Sequence, residues 1–379
     1  MSLEVIAVKR SRELAEFIDV PWQIPELVDN PQWVPPLRMM TRDLVDTKGN
    51  PFYRDADRAL FIARRDGRPV GRIAAIENRA HNAFHDDRVG FFGFFECRND
   101  PQATQALVDT AGGWLATRGL TTMRGPMHPS TNHDCGLLVD GFDQHPVFLT
   151  TWNPPYYEAL LTGAGLSAAK DLLGYWLPYG EAGYALPERL AALADRARAR
   201  TQLSFRDLEP QEFWKEVELC WEIYNSAWER NWGFVPMTRD EFLHMARSLK
   251  PLLVPQFAFL AEIAGEPAGF MLCTPDYNRA LKKNRNGRLF PLGAIRVLRG
   301  KRQIRTGRIM ALGIKPKFRT SSILPLFMHE ATRRAIAYGS PGAEASWILE
   351  ENTLMRRPLE DFGGRVYRRW RIYDRPLAR

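Results

Sequence analysis

The sequence predicts an α+β protein made of two similar domains in tandem, each a mixed β-sheet flanked by helices. Three observations carry this expectation. The chain has 379 residues, 45% apolar and 25% charged, which is more than one core ordinarily serves and is the composition of a chain that buries such cores. It also repeats itself: ALFIARRDGRPVGRIAAI (Ala59 to Ile76) aligns without gaps to FAFLAEIAGEPAGFMLCT (Phe257 to Thr274) at an offset of 198 residues. Finally, strand-like and helix-like patterns follow one another in the same order around both copies.

Each copy opens with a strand (Glu4 to Lys9; Gln202 to Arg206) and a helical pattern (Ser11 to Phe17; Gln211 to Ala227). The repeated stretch follows, with apolar alternation on either side of Gly67 and Gly265, which reads as a β-hairpin with a tight turn. A further strand comes next (Val89 to Glu96; Arg308 to Ile314), then a helix (Pro101 to Arg118; Ile323 to Tyr338). NPPYYEALLTGAG (Asn153 to Gly165) mirrors NTLMRRPLEDFG (Asn352 to Gly363), with the final glycines again 198 apart. The expected division is residues 1–180, a helical link over residues 181–200 opened by Pro187, and residues 201–379.

Net charge is +8, yet no Asp or Glu occurs from Tyr277 to His329, a stretch with 14 Lys and Arg, so the rest of the chain is net negative. Such polarity implies an anionic partner on one face. Nucleic acid is the poorest fit, because Phe290 and Phe318 are the only Phe residues among the basic ones and make no base-stacking platform. A phosphorylated cosubstrate or an anionic membrane fits better, the latter because Leu292, Ile295, Val297 and Leu298 stand beside Arg296, Arg299, Lys301 and Arg302. The four scattered cysteines write neither a disulfide framework nor a zinc site. No apolar run is long enough to span a bilayer and no secretory succession is visible. A cytoplasmic protein, at most peripheral at the inner membrane face, is expected.

In the second copy the junction LGIKPKFRTSSIL (Leu312 to Leu324) precedes an amphipathic helix and then WILEENTLMRRPLEDFGG (Trp347 to Gly364). On these residues the chain resembles the GNAT acyltransferase superfamily, whose cosubstrate segment runs Leu-x-Val-x-Pro-x-x-Arg-x-x-Gly-x-Gly/Ala. Leu312, Ile314, Pro316 and Arg319 fall on the pattern, and Ser322 and Leu324 replace the glycines. The resemblance implies that Arg319, Thr320, Ser321, Ser322 and Ile323 present backbone N–H groups to the pyrophosphate of acyl-CoA. It also implies that Leu312 and Ile314 line the strand that meets the thioester, and that Asn352 contacts the cosubstrate arm. Leu359 stands where many members have a Tyr acid. In the first copy FFECRNDPQATQAL (Phe94 to Leu107) has no such segment, so that half would shape the acceptor pocket instead. RGPMHPSTNHDCGLLVDGF (Arg124 to Phe142) with WNPPYY (Trp152 to Tyr157) is similar to a bacterial tandem-GNAT subgroup acting in ceramide synthesis. That narrower resemblance implies long-chain acyl transfer to the amine of a sphingoid base.

N-acyl transfer needs an acceptor for the ammonium proton, an oxyanion donor and an exit for the thiolate. The strand RIMALGI has no acid, so Glu350 and Glu351 are the nearest candidate bases, with a helix-start role as the competing account. His133 is a candidate for contacting or deprotonating the acceptor, in a loop that also offers Asn132 and Cys135. Asn153, Tyr156, Tyr157 and Trp228 are candidates for an apolar acceptor wall, against a default of core packing. His81 and His85 have the spacing of helical metal ligands but no Glu between them, so a solvated turn and no metal are expected. Two rivals remain at this level: a Fem-like transferase that takes its acyl group from charged tRNA, and a non-catalytic tandem GNAT protein.

Overall fold

The computed structural model describes residues 2–179, 188, 192, 195–196, 202–229, 231–290, 292–301, 303–319 and 323–378. The link expected over residues 181–200 falls almost wholly outside these, as do Thr320, Ser321 and Ser322. In chain order come β1 (Leu3–Ala7), α1 (Ser11–Asp19), α2 (Pro25–Val28), α3 (Arg38–Leu44), β2 (Ala56–Arg65) and β3 (Arg68–Asn78). There follow α4 (Arg79–His85), β4 (Val89–Cys97), α5 (Pro101–Ala116), β5 (Thr122–Gly125), β6 (Met127–His128), β7 (Asp134–Cys135), β8 (Leu137–Asp140), α6 (Tyr157–Gly163) and β9 (Ser167–Pro178). The second copy begins with β10 (Leu203–Asp207), α7 (Phe213–Trp228), α8 (Arg239–Leu249), β11 (Ala258–Ile263), β12 (Glu266–Pro275) and α9 (Asn278–Leu281). It ends with α10 (Leu292–Lys301), β13 (Gly307–Ile314), α11 (Ile323–Tyr338), β14 (Gly342–Leu349), α12 (Thr353–Asp361) and β15 (Arg365–Pro376).

The duplicated stretch takes one shape twice. β2 pairs β3, and β11 pairs β12, antiparallel, with a register shift after Ala63 in the first and after Ala261 in the second. Both turns hold two successive residues at positive φ, Asp66 (+49°) and Gly67 (+77°), then Ala264 (+50°) and Gly265 (+80°). That is the backbone of a type I′ turn, whose twist matches that of the strands it joins.

The chain forms two compact units that are not contiguous in sequence. One comprises Met1–Leu172, Ala280–Leu298 and Arg368–Arg379, and the other Leu173–Arg279 and Arg299–Tyr367. The units therefore differ from a division at residue 180, because two later segments pack with the first. The C-terminal strand does so through its alternation: Trp370 and Ile372 are buried, while Arg369 and Arg371 each bond Asp171 at 2.7 Å.

In the first unit the strand order is β1-β2-β3-β4-β5-β15, antiparallel except for the parallel pair β4–β5, and β8 also pairs β15. α5 and α6 cover one face, where Leu107, Val108, Leu160 and Leu161 meet Phe92 and Tyr373. In the second unit the order is β10-β11-β12-β13-β14, followed by the part of β9 from Leu173 onward. Leu326, Phe327 and Leu359 of α11 and α12 cover one face and Ile223 of α7 the other. No helix among the described residues is long and apolar enough to cross a membrane.

Candidate active site

β13 and β14 run parallel, but their pairing covers only Gly307–Ala343, Arg308–Glu344 and Ile309–Ala345. β13 continues to Ile314 along β12, and its partner on the other side falls away. Met310 is an extra residue at this point, since Leu272 faces Ala311 while Cys273 faces Ile309. A bulge where two parallel strands part re-aims the backbone and leaves amide and carbonyl groups that the sheet does not use. The slot so formed is the chemical opportunity of the second unit.

A polar cluster sits at the closed end of the slot. Arg308, Glu344 and Ser346 are all buried. The Arg308 guanidinium donates to Ser346 Oγ (3.0 Å) and Ser346 O (3.1 Å) and lies over the Trp347 ring. Ser346 Oγ donates to Glu344 Oε1 at 2.5 Å, and the Tyr367 hydroxyl donates to Glu344 Oε2. A carboxylate held by two hydroxyls beside a guanidinium is fixed in place and shielded from bulk water. The sequence-based candidates did not include it. Its one readable signal is GAEASWIL, a strand whose sole acid lies among small residues.

The motif residues gather around the open end. Ile314 is buried, and Leu312 packs against the core that α11 covers. Leu324 is partly buried and packs against that core too. Arg319 donates through Nε to Ile314 O (3.1 Å) and also bonds Ala227 O, tying the end of β13 to the end of α7. Ile323, the first residue of α11, is buried. Asn352 caps α12, its side-chain oxygen accepting from Met355 N–H at 3.2 Å. Glu350 and Glu351 lie exposed in the turn before that cap. Leu359 is buried in the core, away from any proton-donating task. Trp228 presses its ring against Gly313, where an added Cβ would stand 2.6 Å away, and its ring lies tilted at 34° to that of Tyr224, with centroids 4.6 Å apart. Burial pushes the Cys220 and Cys273 thiols up to about 12, so neither is a nucleophile at neutral pH.

The corresponding places in the first unit are filled by the chain itself. β4 carries its own bulge, with Phe94 at φ +51°. Its amide donates to His128 Nδ1 at 2.9 Å. Burial, then the charge of Arg72, holds the His128 pKa down at about 3, so the ring is neutral and able to accept that bond. Gly93 lies so near Met127 that a Cβ would meet its carbonyl oxygen at 1.7 Å. At the start of α5, Asp100 accepts from Ala103 N–H (3.0 Å) and pairs with Arg65 through two bonds of 2.8 and 2.9 Å. A carboxylate thus occupies the helix start that would otherwise suit a phosphate.

The other expected residues of the first unit serve largely structural contacts. Asn153 spends its amide on the backbone of Leu138 and Pro154, over 2.7 to 3.1 Å. Tyr156 donates to Cys97 O and Tyr157 to Glu96 Oε2, both at 2.8 Å. Cys135 is buried on β7 opposite Met127. His133 Nδ1 lies 2.9 Å from Ser130 Oγ, and the Asn132 amide donates to that same oxygen. The expected solvated turn at His81 is corrected: its ring is buried 4.8 Å from that of Phe91, because α4 lays it on the sheet.

No protein-family model matches the chain. It is 35% identical, over an aligned length of 382, to the bacterial ceramide synthase of Caulobacter vibrioides, covering 99% of this chain and 98% of that protein. It is 33% identical over 355 positions to protein YghO of Escherichia coli, covering 92% of this chain and 90% of that one. In fold it is similar to the tandem GNAT protein from the clavulanic acid biosynthesis pathway, with a TM-score of 0.56 at 14% identity over 100% of this chain and 99% of that chain.

Proposed function

This chain belongs to the family of the bacterial ceramide synthase, a family of tandem GNAT acyltransferases, and from that premise we propose that it moves an acyl group from acyl-CoA to an amine. The finer reading is a long-chain acyl group and a sphingoid base. The observation that supports this reading is the contrast between the units: the β13–β14 pairing stops after three residue pairs beside the Met310 bulge, whereas beside β4 the bulge amide is taken up by His128 and the helix start by Asp100.

In this reading the thioester enters the slot, and a backbone N–H near the Met310 bulge stabilises the oxyanion. Pyrophosphate rests at the start of α11. A proton passes from the acceptor ammonium to Glu344 through the hydroxyl of half-buried Tyr367, and the free amine attacks the carbonyl carbon. The tetrahedral intermediate collapses with cleavage of the C–S bond, the amide nitrogen gives up its second proton, and the thiolate leaves as the protonated thiol. Buried Cys220 and Cys273 favour this direct route over an acyl-cysteine intermediate.

The test incubates the protein with acyl-CoAs of graded length and amines that include sphinganine, following free thiol. Thiol release that requires both a long acyl chain and the sphingoid amine is expected. Thermal stabilisation by aminoacyl-tRNA but by no acyl-CoA, with no thiol released, defeats the reading in favour of the tRNA-dependent rival.

A further inference from the structure

Between β12 and β13 the chain leaves the second unit, and Ala280–Leu298 packs with the first. This excursion is firmly anchored. Trp22 Nε1 donates to Arg285 O (2.7 Å), and Arg38 donates through its amide to Gly287 O (3.0 Å) and through Nε to Asn286 O (2.8 Å). Gly287, at φ +66°, leaves no room for a side chain: a Cβ would stand 2.4 Å from the Trp22 ring and 2.5 Å from Pro36 O. Buried Asn284 donates to Arg288 O at 3.0 Å and closes the turn.

What the platform displays is apolar and basic together. Phe290 is 71% exposed, Ile295 46% and Leu298 66%, so three of the nine large exposed hydrophobics among the described residues fall within nine positions. Ile295 and Leu298 share a face of α10, and Arg299 stands one turn on from Ile295. Lys283, Arg288 and Arg299 are exposed in a stretch without any acid. Arg38 feels this field: burial, then the charge of Arg288, lowers its pKa.

We propose that Lys283–Arg299 is a docking surface for an anionic lipid bilayer, with Phe290, Ile295 and Leu298 entering the interface and Lys283, Arg288 and Arg299 meeting headgroup phosphates. Exposed aliphatic and aromatic side chains flanked by cations match a boundary that is apolar below and anionic above. A nucleic acid would satisfy the cations but give Ile295 and Leu298 nothing to bury against. The inference stands apart from the acyl-transfer reading, although a lipid acceptor would be met at such a surface.

The test sediments the full-length protein with vesicles of phosphatidylethanolamine and about one-third phosphatidylglycerol, or of phosphatidylcholine alone. Binding about tenfold stronger to the anionic vesicles is expected, weakening as salt is raised. It should be lost in Phe290→Ser/Ile295→Ser/Leu298→Ser and in Arg288→Glu/Arg299→Glu variants that melt like the parent. Absent vesicle binding, or binding that survives both variants, overturns the proposal. So does a parent dimer that the triple variant converts to monomer, or binding to RNA without binding to vesicles. Thiol release with a water-soluble amine is read in parallel, so that failure here and failure of the acyl-transfer reading are told apart.

Discussion

In the proposed reaction, Glu344 is the residue on which the chemistry of the second unit turns. Its two oxygens accept from Ser346 and Tyr367; in Glu344→Gln the amide oxygen accepts from one hydroxyl and the amide NH2 donates to the other, so the change removes the base without emptying the site. Turnover is expected to fall by about a hundredfold or more while the melting temperature changes little. The loss should fall on kcat rather than on KM, which loss of packing alone would not cause. His128 carries a prediction of a different kind. Its folded pKa of about 3 lies below the ordinary value of 6.5, so below 6.5 the unfolded chain binds a proton that the folded chain refuses. Its contribution is therefore complete above pH 6.5 and declines as pH falls towards 3, by up to about 1.4 kcal/mol per pH unit. His81, which burial holds at about 4, adds to the same window. Denaturant midpoints measured from pH 7 to pH 4 should fall, and His128→Gln should flatten the slope. Neither Glu344 nor His128 stood out in the sequence as it does in the fold, because burial and hydrogen-bond partners arise from distant strands.

At the scale of elements, the hairpins were legible because their signals are local. Alternation with period two and a Gly at the second turn position dictate β2–β3 and β11–β12 whatever surrounds them. The slot was not legible, since no residue type announces where two parallel strands stop pairing. Its closed counterpart in the first unit shows what tight strand approach demands. Gly93→Ala drives a Cβ into the Met127 carbonyl, and a loss of about 3 kcal/mol is expected, read as a lower melting midpoint. Asp100→Ala removes both a cap and the Arg65 partner, and about 1 kcal/mol is expected from the cap. Neither change should open the first unit to acyl-CoA, because His128 still holds the bulge amide.

For the whole molecule, the division of labour follows from which segments pack together. Removing Arg368–Arg379 takes Trp370, Ile372 and Tyr373 out of the first unit, where each is buried. Hydrogen exchange on that truncated protein should show protection lost in β4, β5 and α5 before β11, β12 and α11, and uniform loss would contradict the two-unit description. The duplication, the α+β class, the acyltransferase resemblance and the basic stretch were all legible in the order of the residues. All of these reside in neighbouring residues or in fixed spacings between similar ones. It took the folded chain to reveal that Glu344 is caged, that the first unit closes its own bulge and helix start, and that Ala280–Leu298 packs away from its own copy. The physical reason is common to all three: they depend on contacts between residues far apart in the chain, and burial, charge and exposure at such contacts exist only once the strands have been brought side by side.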